Sequence, residues 1–200
     1  MPSLRPVRRV AELGSLGGVG MKRIMVLVLA FALGCAGGSS DLQGWAVDGR
    51  PAPDEPWRKR DGPFLAMLFL TDQAEALYNR WNTEPGNFAT RNIHAAPPGT
   101  KVEAVVVFLG CEPDASGNCN VWGSATVETD DGRVLARDVQ VPLWVGRPAV
   151  PDPALNISEH GVGLVVEESV SSYRLHMVVS DRTAQREVRL VHELAVSSEQ

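Results

Sequence analysis

The chain has 200 residues, of which 44% are hydrophobic and 22% are charged, and its formal net charge is -5. These values are close to those of soluble globular proteins, so they argue against a chain that is disordered, collagen-like or coiled coil throughout. The acidic balance argues against nucleic-acid binding, which needs Lys and Arg concentrated on one face. Three cysteines are too few for a disulfide-rich scaffold, and their odd number indicates that one has a separate role.

The N-terminal region has the layout of a secretory signal peptide. Met21, Lys22 and Arg23 form a short basic segment, and residues 24–34 are almost uninterruptedly apolar. The apolar run is about half of the roughly 20 residues that span a bilayer, which disfavours a permanent transmembrane helix. Residues 1–20 are interpreted as an over-long start, with a genuine basic leader as the alternative, and residues 21–34 as the signal peptide.

The end of this signal resembles the lipobox of bacterial lipoprotein precursors, in the sequence Ala32-Leu33-Gly34-Cys35. The resemblance implies that Cys35 is acylated and becomes the new N-terminus. Because Ala32 and Leu33 depart from the usual lipobox residues, cleavage by an ordinary signal peptidase after Ala36 is the alternative. In such lipoproteins Ala instead of Asp after the cysteine implies an outer-membrane location, here on the periplasmic face. A soluble periplasmic or secreted protein is the alternative.

Processing changes the charge of the chain. Residues 1–34 hold five of the 19 Lys and Arg and one of the 24 Asp and Glu, so the remainder carries a net charge of -9. Membrane attachment is therefore expected through the lipid and not through direct adhesion to anionic headgroups. Residues 35–62 are rich in Gly, Ser and Pro and are predicted to form a flexible tether, in which Trp45 or Trp57 could dock on the folded body.

Residues 63–200 are predicted to form one β-sandwich domain. The apolar run at 64–70 indicates a buried strand, and a short amphipathic helix follows, which Asp72 is expected to cap and which ends before Pro85. Residues 88–93 are a weak strand candidate. Residues 102–109 are predicted to form a central strand buried on both faces.

Further strands follow at intervals of about ten residues. A hairpin is predicted at Asp130-Asp131-Gly132. Alternation at 139–145 predicts that Val139, Val141, Leu143 and Val145 face the core, while Pro142 indicates an edge strand or a bend. Many short strands with one helix cannot make a parallel sheet, which needs long crossovers, so a two-layer antiparallel sandwich is expected.

The last two predicted strands form the clearest hairpin. The apolar faces of these two strands lie on the same side of the sheet only if the residue numbers in each cross-strand pair add up to an odd number. Pairing Arg182 with Glu187 meets this condition. The resulting register places His176 outward, opposite Glu193. It places His192 inward, where a buried, hydrogen-bonded histidine is a better interpretation than a metal ligand.

The stretch from Leu155 to Val196 resembles the end of bacterial immunoglobulin-like and fibronectin type III-like domains. Tyr173 lies where a tyrosine corner would be, and Val179-Ser180-Asp181 closes the penultimate strand. The resemblance implies an all-β fold, an immunoglobulin-like antiparallel β-sandwich with one short inserted α-helix. The usual cysteine pair between the sheets is missing, and the resemblance implies no function.

Cys111 and Cys119 remain after acylation of Cys35, and an exported chain is expected to join them in a disulfide. They lack the C-x-x-C spacing of redox pairs, which favours a structural bond. The loop between them presents side-chain oxygens at alternating positions, a weak pointer to calcium, from Asp114, Ser116, Asn118 and Asn120. Because the spacing and final Glu of an EF-hand are missing, simple turn formation is favoured.

Aromatic residues provide the main candidates for binding. Trp144 and Trp122 are opposite in parity to the apolar face of their strands, and Arg147 lies near Trp144. Covering by a loop is the usual explanation for such residues, yet Trp is also a favoured interface residue, so Trp144 is the best contact candidate. No recognised catalytic or metal-binding motif occurs in the sequence, and no cofactor or metal is expected.

The sequence therefore predicts an envelope-anchored periplasmic lipoprotein that acts as a non-catalytic binding, assembly or scaffold module, with a possible protein partner in the envelope. One alternative is a periplasmic hydrolase or metal-dependent enzyme that uses residues such as His160 with Glu159 or Asp181. Another alternative is an accessory or inhibitor protein that presents the loop between Cys111 and Cys119.

Overall fold

The computed structural model describes residues 46–47, 50–84, 91–150 and 154–197. Regular elements cover most of this part of the chain, and nearly all of them are strands. In chain order they are β1 (Ala46–Val47), β2 (Arg50–Pro51), β3 (Arg58–Asp61), β4 (Phe64–Thr71), α1 (Ala74–Thr83), β5 (Ala95–Ala96), β6 (Lys101–Leu109), β7 (Asn118–Thr129), β8 (Val134–Pro148), β9 (Asn156–Ile157), β10 (Val162–Val165), β11 (Ser172–Asp181) and β12 (Arg186–Val196).

Two five-stranded sheets form the sandwich. The first has the order β10-β6-β4-β3, with β9 also paired to β6, and the second has the order β5-β12-β11-β7-β8. Neighbouring strands are antiparallel except for β5, which runs parallel to β12. β1 and β2 pair only with each other. The predicted all-β sandwich with one short helix is confirmed.

The first sheet is buried on both faces. Its inner face, with Leu68 and Val106, joins the core between the sheets, while its outer face, with Met67 and Val105, packs with Leu77 and Trp81 of α1. A strand between two apolar layers needs apolar residues at every position, which explains the unbroken runs in β4 and β6. The predicted central strand at 102–109 is confirmed.

The helix begins one residue later than expected. The prediction that Asp72 caps it is wrong, because the N-cap is Gln73, which makes no side-chain cap hydrogen bond. The backbone N–H of Gln73 instead donates to Thr71 Oγ1 at 3.1 Å. The helix ends at Thr83, before Pro85, as predicted.

The folded body begins before residue 63, so the predicted tether 35–62 is too long. Arg58–Asp61 is an edge strand on β4, and the Trp57 ring makes an edge contact with Phe69 at 5.8 Å. The buried Arg58 guanidinium donates to Pro53 O at 2.8 Å, which holds the proline-rich segment in place. Residues 35–45 and 48–49 lie outside the described residues, as do residues 1–34, so the signal peptide and the lipobox at Cys35 stay predictions.

The weak strand candidate at 88–93 is not a strand where the structure describes it. Residues 85–90 lie outside the described part, and residues 91–93 are irregular. Ile93 is nevertheless buried, and the strand that follows is Ala95–Ala96. Its pairing with the distant β12 is a tertiary contact that a local pattern does not contain.

β8 is the outer strand of its sheet, which is where Pro142 is tolerated. The prediction that all four apolar residues at 139–145 face the core is wrong. Val141 and Leu143 are buried, whereas Val139 and Val145 are 43% and 39% exposed. Several register shifts between β7 and β8 break the alternation.

The final hairpin has the predicted parity but a different register. Asp181 pairs with Arg186, and His176 pairs with Val191, two residues from the predicted partner Glu193. The turn starts earlier because the Asp181 carboxylate accepts hydrogen bonds from the backbone N–H groups of Thr183 and Ala184. His176 points outward and His192 is buried, as predicted.

Tyr173 forms the predicted tyrosine corner. Its side chain is 1% exposed, and its hydroxyl oxygen accepts a hydrogen bond from the backbone N–H of Glu167 at 2.6 Å. The hydroxyl therefore ties the loop before β11 to the core. None of the helices in the described ranges has the length and apolar character that crossing a bilayer requires.

Candidate functional site

Two of the predicted contact residues, Trp144 and Arg147, line a cleft of about 540 Å³. We call it the Trp144 cleft. Its walls come from α1, from the end of β8 and from the segment that carries β9, and its lining is Tyr78, Trp81, Asn82, Trp144, Arg147, Val150, Ala154, Leu155, Asn156, Ile157, Ser158 and Glu159. The size and the mixture of aromatic, aliphatic and a few polar groups are those of small-molecule sites, which have volumes of roughly 300–1,000 Å³.

A bulge at Gly146 brings Trp144 and Arg147 together. Side chains three positions apart on a regular strand point to opposite faces. Here Cys119 pairs with Arg147 and Asn120 pairs with Val145, so Gly146 has no opposite residue. Gly146 has a φ of 68°, a conformation that glycine adopts without strain. The extra residue reverses the parity, so that both side chains reach the cleft.

The Trp144 ring is held by contacts on several sides. Its Nε1 donates to Pro148 O at 3.1 Å, and its edge meets the Phe108 ring at 6.4 Å. The Arg147 guanidinium lies 4.9 Å from the centre of the Trp144 ring and forms an ion pair with Glu159. The Trp144 side chain is half-buried. Side chains fixed in this way lose little conformational freedom when a ligand binds.

Asn156 is the least expected residue of the Trp144 cleft. It is 2% exposed, yet neither its Nδ2 nor its Oδ1 has a hydrogen-bond partner among the described residues. Asn156 lies opposite Phe108 in the β6–β9 pair and therefore on the same face of the sheet as Phe108, whose ring contacts Trp144. Burying an amide without a partner costs about 1–3 kcal/mol. A group retained at this cost is a candidate for ligand recognition.

Tyr78 supplies a hydroxyl that stays protonated. Its oxygen donates to Glu103 Oε1 at 3.1 Å, and burial together with the neighbouring carboxylate raises the pKa of Tyr78 above its ordinary value. The Ser158 hydroxyl oxygen accepts a hydrogen bond from the backbone N–H of Val106 at 3.2 Å. Both side chains are therefore positioned by the first sheet, and neither depends on a flexible loop.

Sequence reasoning missed Asn156, Tyr78 and Asn82 as components of a site. Asn156 was visible only as part of the sequence Asn-Ile-Ser, and Tyr78 as part of an amphipathic helix. The signal that could have found Asn156 is its position between the apolar residues Leu155 and Ile157. A polar residue that interrupts an apolar run, beside a sheet that is buried on both faces, is expected to have a buried side chain.

Trp122 lies outside the Trp144 cleft. Its Nε1 donates to Asn120 Oδ1 at 2.8 Å, and the Arg182 guanidinium lies 4.2 Å from its ring centre. It is half-buried on the outward face of β7. The described residues hold three Trp–Arg stacks, the third being Trp57–Arg58. The Trp144–Arg147 stack borders the cleft, and the Trp122–Arg182 stack is a natural control.

The loop between Cys111 and Cys119 is closed by the predicted disulfide. Inside it, Asp114 Oδ1 accepts hydrogen bonds from the backbone N–H groups of Ser116 and Asn118 at 2.8 and 3.0 Å. These bonds are typical of a turn in which the side chain caps the backbone, which is the interpretation favoured over calcium binding.

Replacement of both cysteines of this disulfide, Cys111→Ala with Cys119→Ala, is expected to lower the free energy of unfolding by about 2–3 kcal/mol, because the short loop loses its constraint in the unfolded chain. Cys119 is buried and Cys111 packs on the core, so alanine leaves little steric conflict. Urea unfolding of the oxidised protein and the double variant measures the difference. A change below about 0.5 kcal/mol would contradict a structural role for the bond.

A second cleft, of about 590 Å³, lies beside the buried His192. The His94 ring stacks on His192 at 4.9 Å, while His192 Nε2 lies 2.9 Å from Asn92 Oδ1. Burial lowers the pKa of His192 to about 4, and the backbone carbonyl of Glu193 opposes that shift. Among the described residues no three His, Cys, Asp or Glu side chains are arranged to hold a metal ion.

His192 is expected to make the protein less stable in mild acid. Because its pKa of about 4 lies below the ordinary value of 6.5, the unfolded chain binds a proton first as the pH falls. The contribution of His192 to the free energy of unfolding should be constant above pH 6.5. It should fall by roughly 2 kcal/mol between pH 6.5 and 4. Urea titrations across that range should show a shallower drop for His192→Gln, and an unchanged one for the exposed His160→Gln. Equal slopes in all three proteins would rule out His192 as the cause.

Two of the three residues named for a catalytic alternative, Asp181 and Glu159, have other interaction partners. Asp181 is fully buried, and its carboxylate accepts hydrogen bonds from the backbone N–H groups of Glu112 and Thr183. Glu159 forms its ion pair with Arg147. His160 is exposed. Both carboxylates that were named as partners for His160 are therefore already engaged, Asp181 with backbone N–H groups and Glu159 with Arg147.

Comparison with known proteins yields little. No protein-family model matches the chain, and no curated protein matches it. One solved structure that resembles it is described as a family 123 glycoside hydrolase from Clostridium perfringens, with a TM-score of 0.38 and 9% sequence identity. The match covers 68% of this chain, which spans only 28% of that one. At this level of similarity neither an activity nor a substrate follows.

Proposed function

We propose that this chain is a lipoprotein anchored to the bacterial outer membrane that acts on the periplasmic face as a non-catalytic binding module, with the Trp144 cleft as its binding site. The lipobox at Cys35 supports the anchor, and the acidic mature chain leaves the lipid as the means of attachment. The buried Asn156 amide without a partner is the observation that carries the binding site.

The polar groups of the cleft favour binding over catalysis. Arg147 and Glu159 pair with each other, and burial raises the pKa of Tyr78 further away from neutral pH. A general acid or base would need a pKa close to the working pH. The rigid Trp144 ring and the unpaired carboxamide instead supply contact area and directional hydrogen bonds, which are the requirements of a binding site.

The anchor is tested by substitution of Cys35. Cys35→Ser should abolish labelling with radioactive palmitate and release the protein from the membrane fraction, and globomycin should cause the unprocessed wild-type precursor to accumulate. Retention of the Cys35→Ser protein in the outer membrane with normal processing would contradict a lipid anchor at this residue.

The binding site is tested by comparing the Trp144–Arg147 stack with the Trp122–Arg182 stack. The protein and its Trp144→Ala and Trp122→Ala variants are immobilised at equal density and exposed to a native envelope extract, and the retained material is quantified. We expect Trp144→Ala to lose it and Trp122→Ala to keep it. Equal retention by all three proteins would overturn the Trp144 cleft as the binding site.

A further inference from the structure

We infer that the ligand of the Trp144 cleft is a neutral oligosaccharide. This inference rests on the proposed function, because it assigns a ligand class to the same cleft. It is carried by three features of the cleft: an unpaired buried carboxamide, a fixed aromatic ring and a balanced pair of charges.

The balance of charge points to an uncharged ligand. The cations and anions among the residues that line the cleft are Arg147 and Glu159, which neutralise each other. A charged ligand would have to break this ion pair or enter without a counter-charge. The excess of acidic groups in the whole chain would further repel an anion.

The hydrogen-bonding groups of the cleft fit hydroxyl groups. The Asn156 carboxamide offers a donor and an acceptor side by side, as does Asn82, and the Arg147–Glu159 pair offers a cationic donor beside an anionic acceptor. Adjacent ring hydroxyls of a sugar each donate and accept, so they can satisfy both atoms of such a group at once. An entirely apolar ligand would leave Asn156 without a partner.

The apolar surface fits the other face of a sugar ring. A pyranose presents a row of C–H groups on its face and hydroxyls at its edge, and aromatic rings such as Trp144 and Tyr78 pack on the C–H face while their polar tips remain hydrogen-bonded. The aliphatic residues Leu155 and Ile157 lie with Tyr78 on the α1 side of the cleft.

The backbone at the cleft is poorly suited to an extended peptide. Peptides that add to a sheet need an open strand edge several residues long. β9 has only two residues, and the Glu159 N–H that follows it already donates to Leu143 O at 3.1 Å. β8 is longer, but Pro142 and the bulges interrupt its ladder. A sugar, which binds through side chains, makes no such demand.

The test measures binding to defined oligosaccharides. The protein, purified as its host processes it, is screened on an array of neutral and acidic oligosaccharides and on a peptide array, and positive compounds are titrated by calorimetry. We expect neutral oligosaccharides to bind, and Trp144→Ala and Asn156→Leu each to weaken binding about tenfold or more. Trp122→Ala should leave the affinity unchanged.

Thermal unfolding of each variant separates loss of a contact from loss of the fold. Because Asn156→Leu removes an unpaired buried amide, we expect that variant to be at least as stable as the wild type, so weaker binding cannot be attributed to unfolding. Neutral binding that survives both cleft substitutions would overturn the inference.

The remaining outcomes separate the ligand class from the binding site. Binding of peptides or of acidic oligosaccharides alone, lost in Trp144→Ala, would overturn the neutral sugar while supporting the proposed binding function. If no neutral oligosaccharide binds but envelope material is still retained through Trp144, the neutral sugar is overturned as the ligand and the proposed binding function is supported. Retention of envelope material by Trp144→Ala would instead overturn the proposed function itself.

Discussion

Asp181→Ala is expected to lower the free energy of unfolding by about 3 kcal/mol or more. The carboxylate is fully buried and accepts hydrogen bonds from the backbone N–H groups of Glu112, Thr183 and Ala184, at 2.8, 3.1 and 3.4 Å. Hydrogen bonds to a charged group contribute about 1.5–3 kcal/mol each, and their loss leaves buried donors without partners. Urea unfolding followed by circular dichroism measures the difference.

A second aspartate, at the end of β3, bonds the backbone of the same hairpin and provides the control. Asp61 Oδ2 accepts a hydrogen bond from the backbone N–H of Glu187 at 3.1 Å, but Asp61 is exposed. Asp61→Ala should therefore cost less than about 1 kcal/mol. Asp181→Asn, which keeps the shape and loses the charge, should fall between the two alanine variants. If Asp181→Ala is no more damaging than Asp61→Ala, the buried carboxylate does not organise the hairpin.

Asn156→Leu is expected to raise the free energy of unfolding by about 1–3 kcal/mol. Leucine has the same branching and the same number of side-chain non-hydrogen atoms as asparagine, and it removes two polar atoms that lack partners. Most substitutions of buried residues destabilise, so a gain here would be diagnostic. The measurement is a comparison of urea midpoints without any ligand present.

Asn92→Leu is the matched control for this substitution. Asn92 Oδ1 accepts a hydrogen bond from the backbone N–H of Leu70 at 3.0 Å and lies 2.9 Å from His192 Nε2. Its loss should therefore destabilise the protein by about 1–2 kcal/mol. Destabilisation by Asn156→Leu of the same size as by Asn92→Leu would mean that the Asn156 amide is satisfied in solution, and it would remove the main support for the binding site.

A stability gain that accompanies a binding loss is the expected signature of a functional group. Proteins keep locally unfavourable residues where a ligand uses them, and they compensate elsewhere in the fold. The Asp181 carboxylate and the Tyr173 hydroxyl, in contrast, are buried polar groups of the same domain whose hydrogen bonds are made. Asp181→Ala thus removes a buried polar group with hydrogen-bond partners, and Asn156→Leu removes one without partners.

Local pattern predicted those elements whose residues face the same environment along their whole length. The unbroken apolar runs at 64–70 and 102–109 lie in a sheet covered on both sides, and the alternation at 173–179 lies on a strand with one buried face. The exposed Val139 and Val145 mark where this reasoning failed, because the register shifts in β8 depend on its pairing with β7.

The candidate site also combines residues that the sequence predicted with an arrangement that depends on tertiary contacts. Trp144 and Arg147 were identified as contact residues because a bulky aromatic stood out of phase beside a cation. Their meeting depends on the bulge at Gly146, whose φ of 68° arises from the pairing of two strands. Asn156 reaches the cleft only because β9 adds to the edge of β6, about 50 positions earlier in the chain.

By itself, the amino-acid sequence determined the β-sandwich class, the single helix, the parity of the last hairpin and the Cys111–Cys119 bond. These features follow from side-chain periodicity and from residue chemistry, which act over a few positions. The tyrosine corner was expected from the resemblance to immunoglobulin-like and fibronectin type III-like domains. Only the tertiary structure decided the hairpin register, the start of the folded body at the proline-rich segment and the Trp144 cleft. These depend on contacts between distant segments, whose free energies appear only when the two sheets and the helix have packed together.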